Sequence, residues 1–379
     1  MLLYDLCATQ PIGSILRHGG GIYGEMVFFK IAEKTNKFAC YYDSRKWINP
    51  KILDICRNNN IKLYDLKSIQ FDDIIDSYTL LYSALPDERA KYVKIRKIFT
   101  VHGLRSLEAP NDIMRIRYAI GFKSKIKELI KYYSDNIAKK RDYDNFIRDY
   151  CWDSNNIEIV TVSNHSRVSI ELLIHDIKRK NIPIRTFYAP NTIDYLKEDA
   201  KRNGESYFLM VSGNRYVKNC LRAAIAFDEL ISEGYLGDVK LKIAGASEGS
   251  YDYKFKNPDK IEFLGYVSDE ELKSLYGGAF LFVYPSLNEG FGYPPLEAMF
   301  NSVPVISSCF ASIPEVCGDA VMYFNPLSIQ EIKNRMVQML DKEVRDHYIL
   351  KGKERFEYIK SKQDSDLNSM VDYLLEKSK

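Results

Sequence analysis

The sequence predicts an α/β protein of two domains, each built on a parallel sheet covered by helices. Three observations carry that prediction. Short apolar runs alternate with helix-length amphipathic patterns along the chain, the βαβα signature. The alternation starts afresh at Tyr207, after a charged segment from Lys197 to Glu205, which divides the chain into 1–195 and 196–379. At 379 residues and 46% apolar content, the chain can fill two ordinary cores, which excludes a disordered protein.

The first half opens on a strand, Met1-Leu2-Leu3-Tyr4-Asp5-Leu6. It lacks the basic and long apolar regions of a secretion signal. A glycine loop follows, Arg17-His18-Gly19-Gly20-Gly21-Ile22-Tyr23-Gly24-Glu25, and then an apolar-periodic helix with Met26, Phe29, Ile31 and Ala32. Strand, glycine loop and helix is an order in which backbone N–H groups can face a phosphate. The loop fits neither the P-loop nor the G-x-G-x-x-G pattern. Further strands are expected at Phe38–Tyr42, Thr79–Ala84, Lys97–Val101 and Glu158–Val162, with a short one at Ile184. His102 falls just past the end of one of them, where open α/β sheets line their ligand crevice.

Residues 121–141 carry Phe122, Ile126, Leu129, Ile130, Tyr133 and Ile137 on one helical face. Lys123, Lys125, Lys127, Lys131, Lys139, Lys140 and Arg141 crowd the remainder. Two readings stand: an amphipathic helix docked on its own domain, or a basic helix on an anionic membrane surface. The Asp142-Tyr143-Asp144 and Asp364-Ser365-Asp366 tripeptides have the form of a metal-holding pair. No strand leads into either, so chance occurrence accounts for them in a chain this rich in acids. No metal site is expected.

The second half opens on the strand Tyr207–Ser212, followed by Gly213-Asn214-Arg215-Tyr216-Val217-Lys218-Asn219 and a helix. Arg215 and Lys218, at a strand-to-helix loop, could neutralise a diphosphate, Arg as a fork and Lys as a point charge. Strands are expected again at Val239–Gly245, Ile261–Val267, Phe280–Tyr284 and Val303–Ser307, and Ser268-Asp269-Glu270-Glu271 fits a capping box. The run Phe280–Tyr284 leads into Pro285-Ser286-Leu287-Asn288-Glu289-Gly290-Phe291-Gly292-Tyr293-Pro294-Pro295-Leu296-Glu297. Gly290 and Gly292 permit a tight loop, and Pro294 and Pro295 suit a first helical turn. Glu289 and Glu297 then bracket a helix N-terminus, an arrangement for hydroxyl-rich groups flanking a phosphate.

Net charge of +3 argues against a dedicated nucleic-acid binder. The seven cysteines are scattered, odd in number and without C-x-x-C, as incidental thiols of a reducing cytosol would be. No apolar run has the roughly 20 residues a membrane helix needs. A cytoplasmic protein, or one attached to a membrane from the cytosolic side, is the expectation.

Taken together, these stretches resemble the family-4 retaining glycosyltransferases. Pro285-Ser286, Glu289-Gly290-Phe291-Gly292, Pro295-Leu296-Glu297-Ala298-Met299, Pro304-Val305, Pro314-Glu315-Val316 and Gly318-Asp319-Ala320 fall in family order, and Glu289 and Glu297 form its E-x7-E pair. The resemblance implies the GT-B fold, two Rossmann-like domains facing across a cleft, with the terminal helix packing back on the first. It implies transfer of a sugar from a nucleoside-diphosphate sugar, GDP- or UDP-linked, to a hydroxyl of a glycan or lipid-linked acceptor in cell-surface polysaccharide synthesis. Retention of configuration and independence of metal come with it, and no cofactor beyond the donor. Glu297 is implied to bind the ribose and Glu289 the donor sugar. Gly290, Phe291, Gly292 and Leu296 are implied to lend backbone groups, and Gly20 and Gly21 to form the first-domain donor loop. Arg215 and Lys218 would clamp the diphosphate, Tyr266 and Val267 contact the base, and His102 face the transferred sugar. The E-G-F-G-x-P-P-L-E form leans to mannose-type donors. The first glycine loop departs from the family's G-x-G-R-Y, and Gly213–Lys218 is a residue shorter than usual. A nucleotide-sugar epimerase of the same fold and a non-catalytic sugar-nucleotide-binding subunit are the competing readings.

Overall fold

A computed structural model describes residues 1–13, 15–86, 88–153, 155–192 and 206–379, without the side chains of residues 91 and 92. It divides into two compact units. The first comprises Met1–Leu104, Arg141–Thr192 and Ser361–Lys379; the second comprises Arg105–Lys140 and Ile193–Lys360. The change-over expected at 195/196 and the charged segment Lys197–Glu205 lie outside the described residues.

Among the described residues the first unit holds a seven-stranded parallel sheet, ordered β3-β2-β1-β4-β5-β6-β7. Its strands are β1 (Leu2–Asp5), β2 (Ala39–Tyr42), β3 (Lys62–Asp65), β4 (Leu80–Ser83), β5 (Arg96–Val101), β6 (Ile157–Thr161) and β7 (Ile184–Thr186). The register sets Leu3 beside Ala39 on one flank and Leu81 on the other. β1 and β4 are buried along their whole length, as expected of central strands covered by helices on both faces. β3 was not expected from the sequence. It is an edge strand with Lys62 exposed, so it lacks the apolar run that marks a central strand.

Among its described residues the second unit repeats the plan with six strands in the order β10-β9-β8-β11-β12-β13. They are β8 (Tyr207–Met210), β9 (Lys240–Ala244), β10 (Ile261–Gly265), β11 (Leu281–Tyr284), β12 (Val305–Ser308) and β13 (Met322–Phe324). This is the doubly wound 3-2-1-4-5-6 order, whose ligand crevice opens where the winding reverses, here between β8 and β11. Around β8 the core gathers Phe208, Met210, Leu221, Phe227, Leu241, Ile243, Leu281, Val283 and Ile306.

Two segments belong to the unit other than the one their place in the chain would give. Met114 and Tyr118 pack against the core of the second unit. There the Tyr118 ring meets those of Tyr216 and Tyr251 at 5.9 and 5.1 Å, and its hydroxyl accepts from the Leu221 amide at 2.9 Å. Arg222 and Asp112 form a buried ion pair at 2.5 Å in the same place. The last helix, Lys342–Lys377, passes into the first unit at Ser361. In that unit the Tyr23 hydroxyl donates to the Met370 sulfur at 3.2 Å, and the Gln363 amide donates to the Ala189 carbonyl at 2.6 Å. All seven cysteines are free thiols. No helix among the described residues is long and apolar enough to cross a membrane.

The turn after β8 depends on a glycine. A Cβ on Gly213 would lie 2.5 Å from Ile243 Cγ2 and 2.9 Å from Ala246 Cβ, closer than carbon atoms can approach. Gly213→Ala should therefore destabilise the second unit by about 1–3 kcal/mol through overpacking, read from its urea transition. An unchanged midpoint would show that β9 yields freely.

Candidate active site

The crevice of the second unit is made by the two segments that leave β8 and β11. After β8 the chain makes a single 3-10 turn, Tyr216–Lys218, closed by Asn219 in the left-handed region at φ 56°. Asn219 holds the two loops together, because its amide donates to the Pro285 carbonyl at 3.1 Å and to Pro326 at 2.7 Å. Its carbonyl oxygen in turn accepts from Arg222 at 2.6 Å. The Leu287 amide donates to the Val217 carbonyl at 2.8 Å, which zips the β8 loop to the β11 loop. Lys218 and Glu289 therefore meet, 71 residues apart in sequence.

Their contact is a buried ion pair, with Lys218 Nζ 2.6 Å from Glu289 Oε1 and both side chains less than a tenth exposed. The Ser286 hydroxyl donates to the same carboxylate oxygen at 2.6 Å. Ser312 fixes the loop from below, its hydroxyl reaching the carbonyls of Glu289 and Phe291, both at 2.9 Å. Burial, the largest influence on Glu289, would raise its pKa. Lys218, Ser286 and Arg105 outweigh it and hold the carboxyl below the usual range.

Arg105 is a member of this site that the sequence reading missed. Its guanidinium lies 3.8 Å from the other Glu289 oxygen, Oε2. Three residues on, Glu108 accepts from the Asn288 amide at 3.1 Å, which pins the short Arg105–Glu108 helix to the Glu289 loop. Arg105 follows directly on the strand-end stretch that drew attention to His102, so its placement was a usable signal. Arg215 is exposed at the same crevice. The bulk of surrounding protein and repulsion from Arg105 both push its guanidinium pKa down, while Glu289 partly compensates. Two mutually repelling guanidiniums beside an already paired lysine make a ready seat for a polyvalent anion.

Gly292 caps the helix Tyr293–Phe300 at φ 106°, a conformation suited to glycine, and a Cβ there would meet open space. Gly290 and Phe291 lie in the same loop, and the buried Leu296 packs the helix beneath it. Glu297 lies one turn into the helix and is half-buried. Burial pushes its carboxyl pKa up, partly offset by the Tyr276 hydroxyl and by Lys218. That buried Tyr276 hydroxyl faces Glu297 without completing a hydrogen bond of ordinary geometry. A raised carboxyl next to an unsatisfied hydroxyl is a place where a ligand hydroxyl would complete the bonding. Tyr266 stands 93% exposed just beyond β10, with Val267 beside it.

His102, Gly20 and Gly21 lie in the first unit. The triple glycine is not a loop ahead of a helix. It is the first turn of the helix Gly19–Lys34, and the Gly21 amide donates to its N-cap, His18 Nδ1, at 3.0 Å. A Cβ on Gly20 would lie 3.0 Å from Leu85 Cδ2 and in ordinary contact, at 3.5 Å, with His102 Nε2. His102 Nε2 donates to the Ala84 carbonyl at 3.0 Å, and the Tyr23 ring packs edge-on at 4.9 Å. Burial lowers the His102 pKa to about 4, which makes it a neutral imidazole with Nδ1 as an acceptor. Of the two Asp-x-Asp tripeptides, Asp366 accepts from the Tyr188 amide at 2.9 Å and pairs with Lys362 at 3.3 Å. Asp142 lies 3.7 Å from Arg141.

Two parallel sheets, each wound in the doubly wound order, define the GT-B glycosyltransferase fold. The charged crevice lies at the switch point of the second. Residues 192–356 match the family of glycosyl transferases group 1. The chain is 50% identical over 80 residues to O-antigen chain mannosyltransferase B of Escherichia coli, covering 21% of each chain. It is 34% identical over 141 residues to the O-antigen chain mannosyltransferase RfbU of Salmonella typhimurium, covering 36% of this chain and 38% of that one. These matches span well under half the length of either relative. In fold, the chain is similar to HepE of Anabaena, solved in complex with UDP and glucose. The TM-score is 0.58 at 12% identity, over 99% of both chains.

Two outcomes follow. Lys218→Met leaves a buried carboxylate unpaired and should cost about 3–5 kcal/mol in chemical denaturation, and adding Glu289→Gln should recover much of it. Additive losses would contradict the pairing. By NMR the His102 ring should titrate near pH 4 rather than at its ordinary 6.5. The stability that depends on its neutral form is then complete above pH 6.5 and lost as the pH falls through about 4. A midpoint near 6.5 would show the ring to be solvated.

Proposed function

We propose that this protein transfers a glycosyl group from a nucleoside-diphosphate sugar to a hydroxyl of a glycan or lipid-linked acceptor in polysaccharide assembly. The observation that carries the reading is the convergence of Lys218, Arg105 and Arg215 around Glu289 at the switch point of the second sheet. The family match supports the reaction class. The mannosyltransferases among the relatives favour a mannose-type donor, and either GDP or UDP fits the crevice chemistry.

Negative charge grows on the leaving diphosphate in such a transfer, and preorganised cations are worth most there. Lys218 and the two arginines supply that charge from side chains, which makes metal-independent transfer the proposed course. Glu289 is committed to Lys218 and Ser286 through one oxygen and approaches Arg105 with the other. A carboxylate so engaged is a poor nucleophile. Its proposed part is to position the cations and the donor sugar, with the acceptor attacking on the face the leaving phosphate vacates, so that configuration is retained. Glu297 and the Tyr276 hydroxyl are proposed to take the ribose hydroxyls, and Tyr266 with Val267 to lie against the base.

The test is incubation of the full chain with a panel of sugar nucleotides and glycan acceptors, with the product linkage read by NMR. Transfer with retained configuration, persisting in EDTA, is expected. Lys218→Ala and Glu289→Ala should each lower kcat/KM by about 10²–10³. Donor epimerised without an acceptor, inverted product, or near-normal turnover by either variant would contradict the proposal.

A further inference from the structure

The helix Phe122–Tyr133 is mounted opposite to the usual way. An amphipathic helix on a globular unit normally turns its apolar stripe to the core. Here no residue of the helix is buried. At about 100° per residue, Phe122, Ile126, Leu129, Ile130 and Tyr133 fall in one stripe roughly 100° wide. That stripe faces solvent: Phe122 is 78% exposed, Ile130 61% and Tyr133 79%. Exposed Ile120 lies before the helix and exposed Ile137 after it. The polar side makes the attachment instead. Glu128 pairs with Arg115 at 3.0 Å, Lys125 with Asp252 at 2.6 Å, and the Tyr132 carbonyl accepts from Asn111 at 2.9 Å. The reading in which this helix docks its apolar face on its own domain does not hold.

We infer that this stripe is a docking surface for an anionic lipid bilayer. Its width and exposure exceed what scattered surface apolar residues explain. Its border sets the partner. Lys123 and Lys127 flank one edge of the stripe, Lys140 lies beyond its end, and all three are exposed. None of the three forms an ion pair among the described residues, whereas Lys125, Lys131 and Lys139 are engaged by acids of the protein. An apolar stripe edged by uncommitted lysines suits acyl chains under anionic headgroups. A second copy docking stripe to stripe with the helices antiparallel would bring those lysines toward their counterparts, which like charge opposes. The same segment, Arg105–Lys140, also carries Arg105 to Glu289, so the docking surface and the charged crevice belong to one unit. Lipid binding at this surface does not require the transfer reaction.

Flotation of the full chain tests it, with vesicles of phosphatidylcholine alone or mixed with phosphatidylglycerol. The protein should float with the mixed vesicles, stay down with the neutral ones, and lose binding as salt rises. Phe122→Ser/Ile130→Ser/Tyr133→Ser should abolish flotation while leaving the thermal transition in place. Lys123→Gln/Lys127→Gln should lower partition about 25-fold, at roughly fivefold per lysine. Failure of the unaltered protein to float with either vesicle would overturn the inference. So would flotation of both variants equal to that of the unaltered protein. Sedimentation velocity showing that the serine substitutions dissolve a dimer without changing lipid partition would instead assign the stripe to a second copy.

Discussion

The buried contact between Lys218 and Glu289 is the constraint on which the rest of the second unit depends. Two charges removed from water are tolerable only if each finds the other and the remaining lone pairs are satisfied. The fold meets that condition by placing β8 beside β11, so that the loops leaving them run together. Ser286 satisfies the carboxylate, Ser312 holds the loop backbone, and Asn219 ties the loop after β8 to Pro285 and Pro326. The left-handed turn at Asn219, the close packing at Gly213 and the cap at Gly292 are the backbone features that let these side chains converge.

That pair leaves the crevice short of negative charge. Among the described residues, Arg105 and Arg215 find no carboxylate there beyond Glu289, which Lys218 already holds. A polyvalent anion would relieve the repulsion between them, and relief of repulsion is differential binding energy. At the other end of the same loop, Glu297 and the Tyr276 hydroxyl are under-satisfied in a complementary sense. One end of the crevice calls for phosphate and the other for hydroxyls. A nucleoside diphosphate carries both groups.

Much of this was legible in the sequence. Strands buried on both faces must be apolar throughout, so β1, β4, β8, β11 and β12 stood out as runs. β3 and β13 did not, because edge strands are short and can carry polar residues such as Lys62. The loop around Glu289 announced itself through its glycines and prolines, whose backbone demands are local. Arg105 did not, because its role depends on a contact with a residue 184 positions away. The triple glycine was read as a loop, but its amides begin a helix that His18 caps, and a histidine cap is not a pattern that propensity marks. Helical periodicity revealed the stripe from Phe122 to Tyr133, yet it does not tell which face a helix turns inward. The ion pairs of Glu128 and Lys125 decide that, and only the folded chain shows them.

One chain segment thus supplies an arginine to a charged crevice and an apolar stripe to the surface of the same unit. The proposed role of the crevice cations is to hold a nucleoside diphosphate. Titration calorimetry of the full chain with GDP and UDP tests it most directly. Saturable binding of at least one, weakened about tenfold or more by Arg105→Gln and again by Arg215→Gln, is the predicted result, in line with loss of a charge-assisted contact in each case. Absence of saturable binding by either nucleotide, or binding that both substitutions leave untouched, would contradict it.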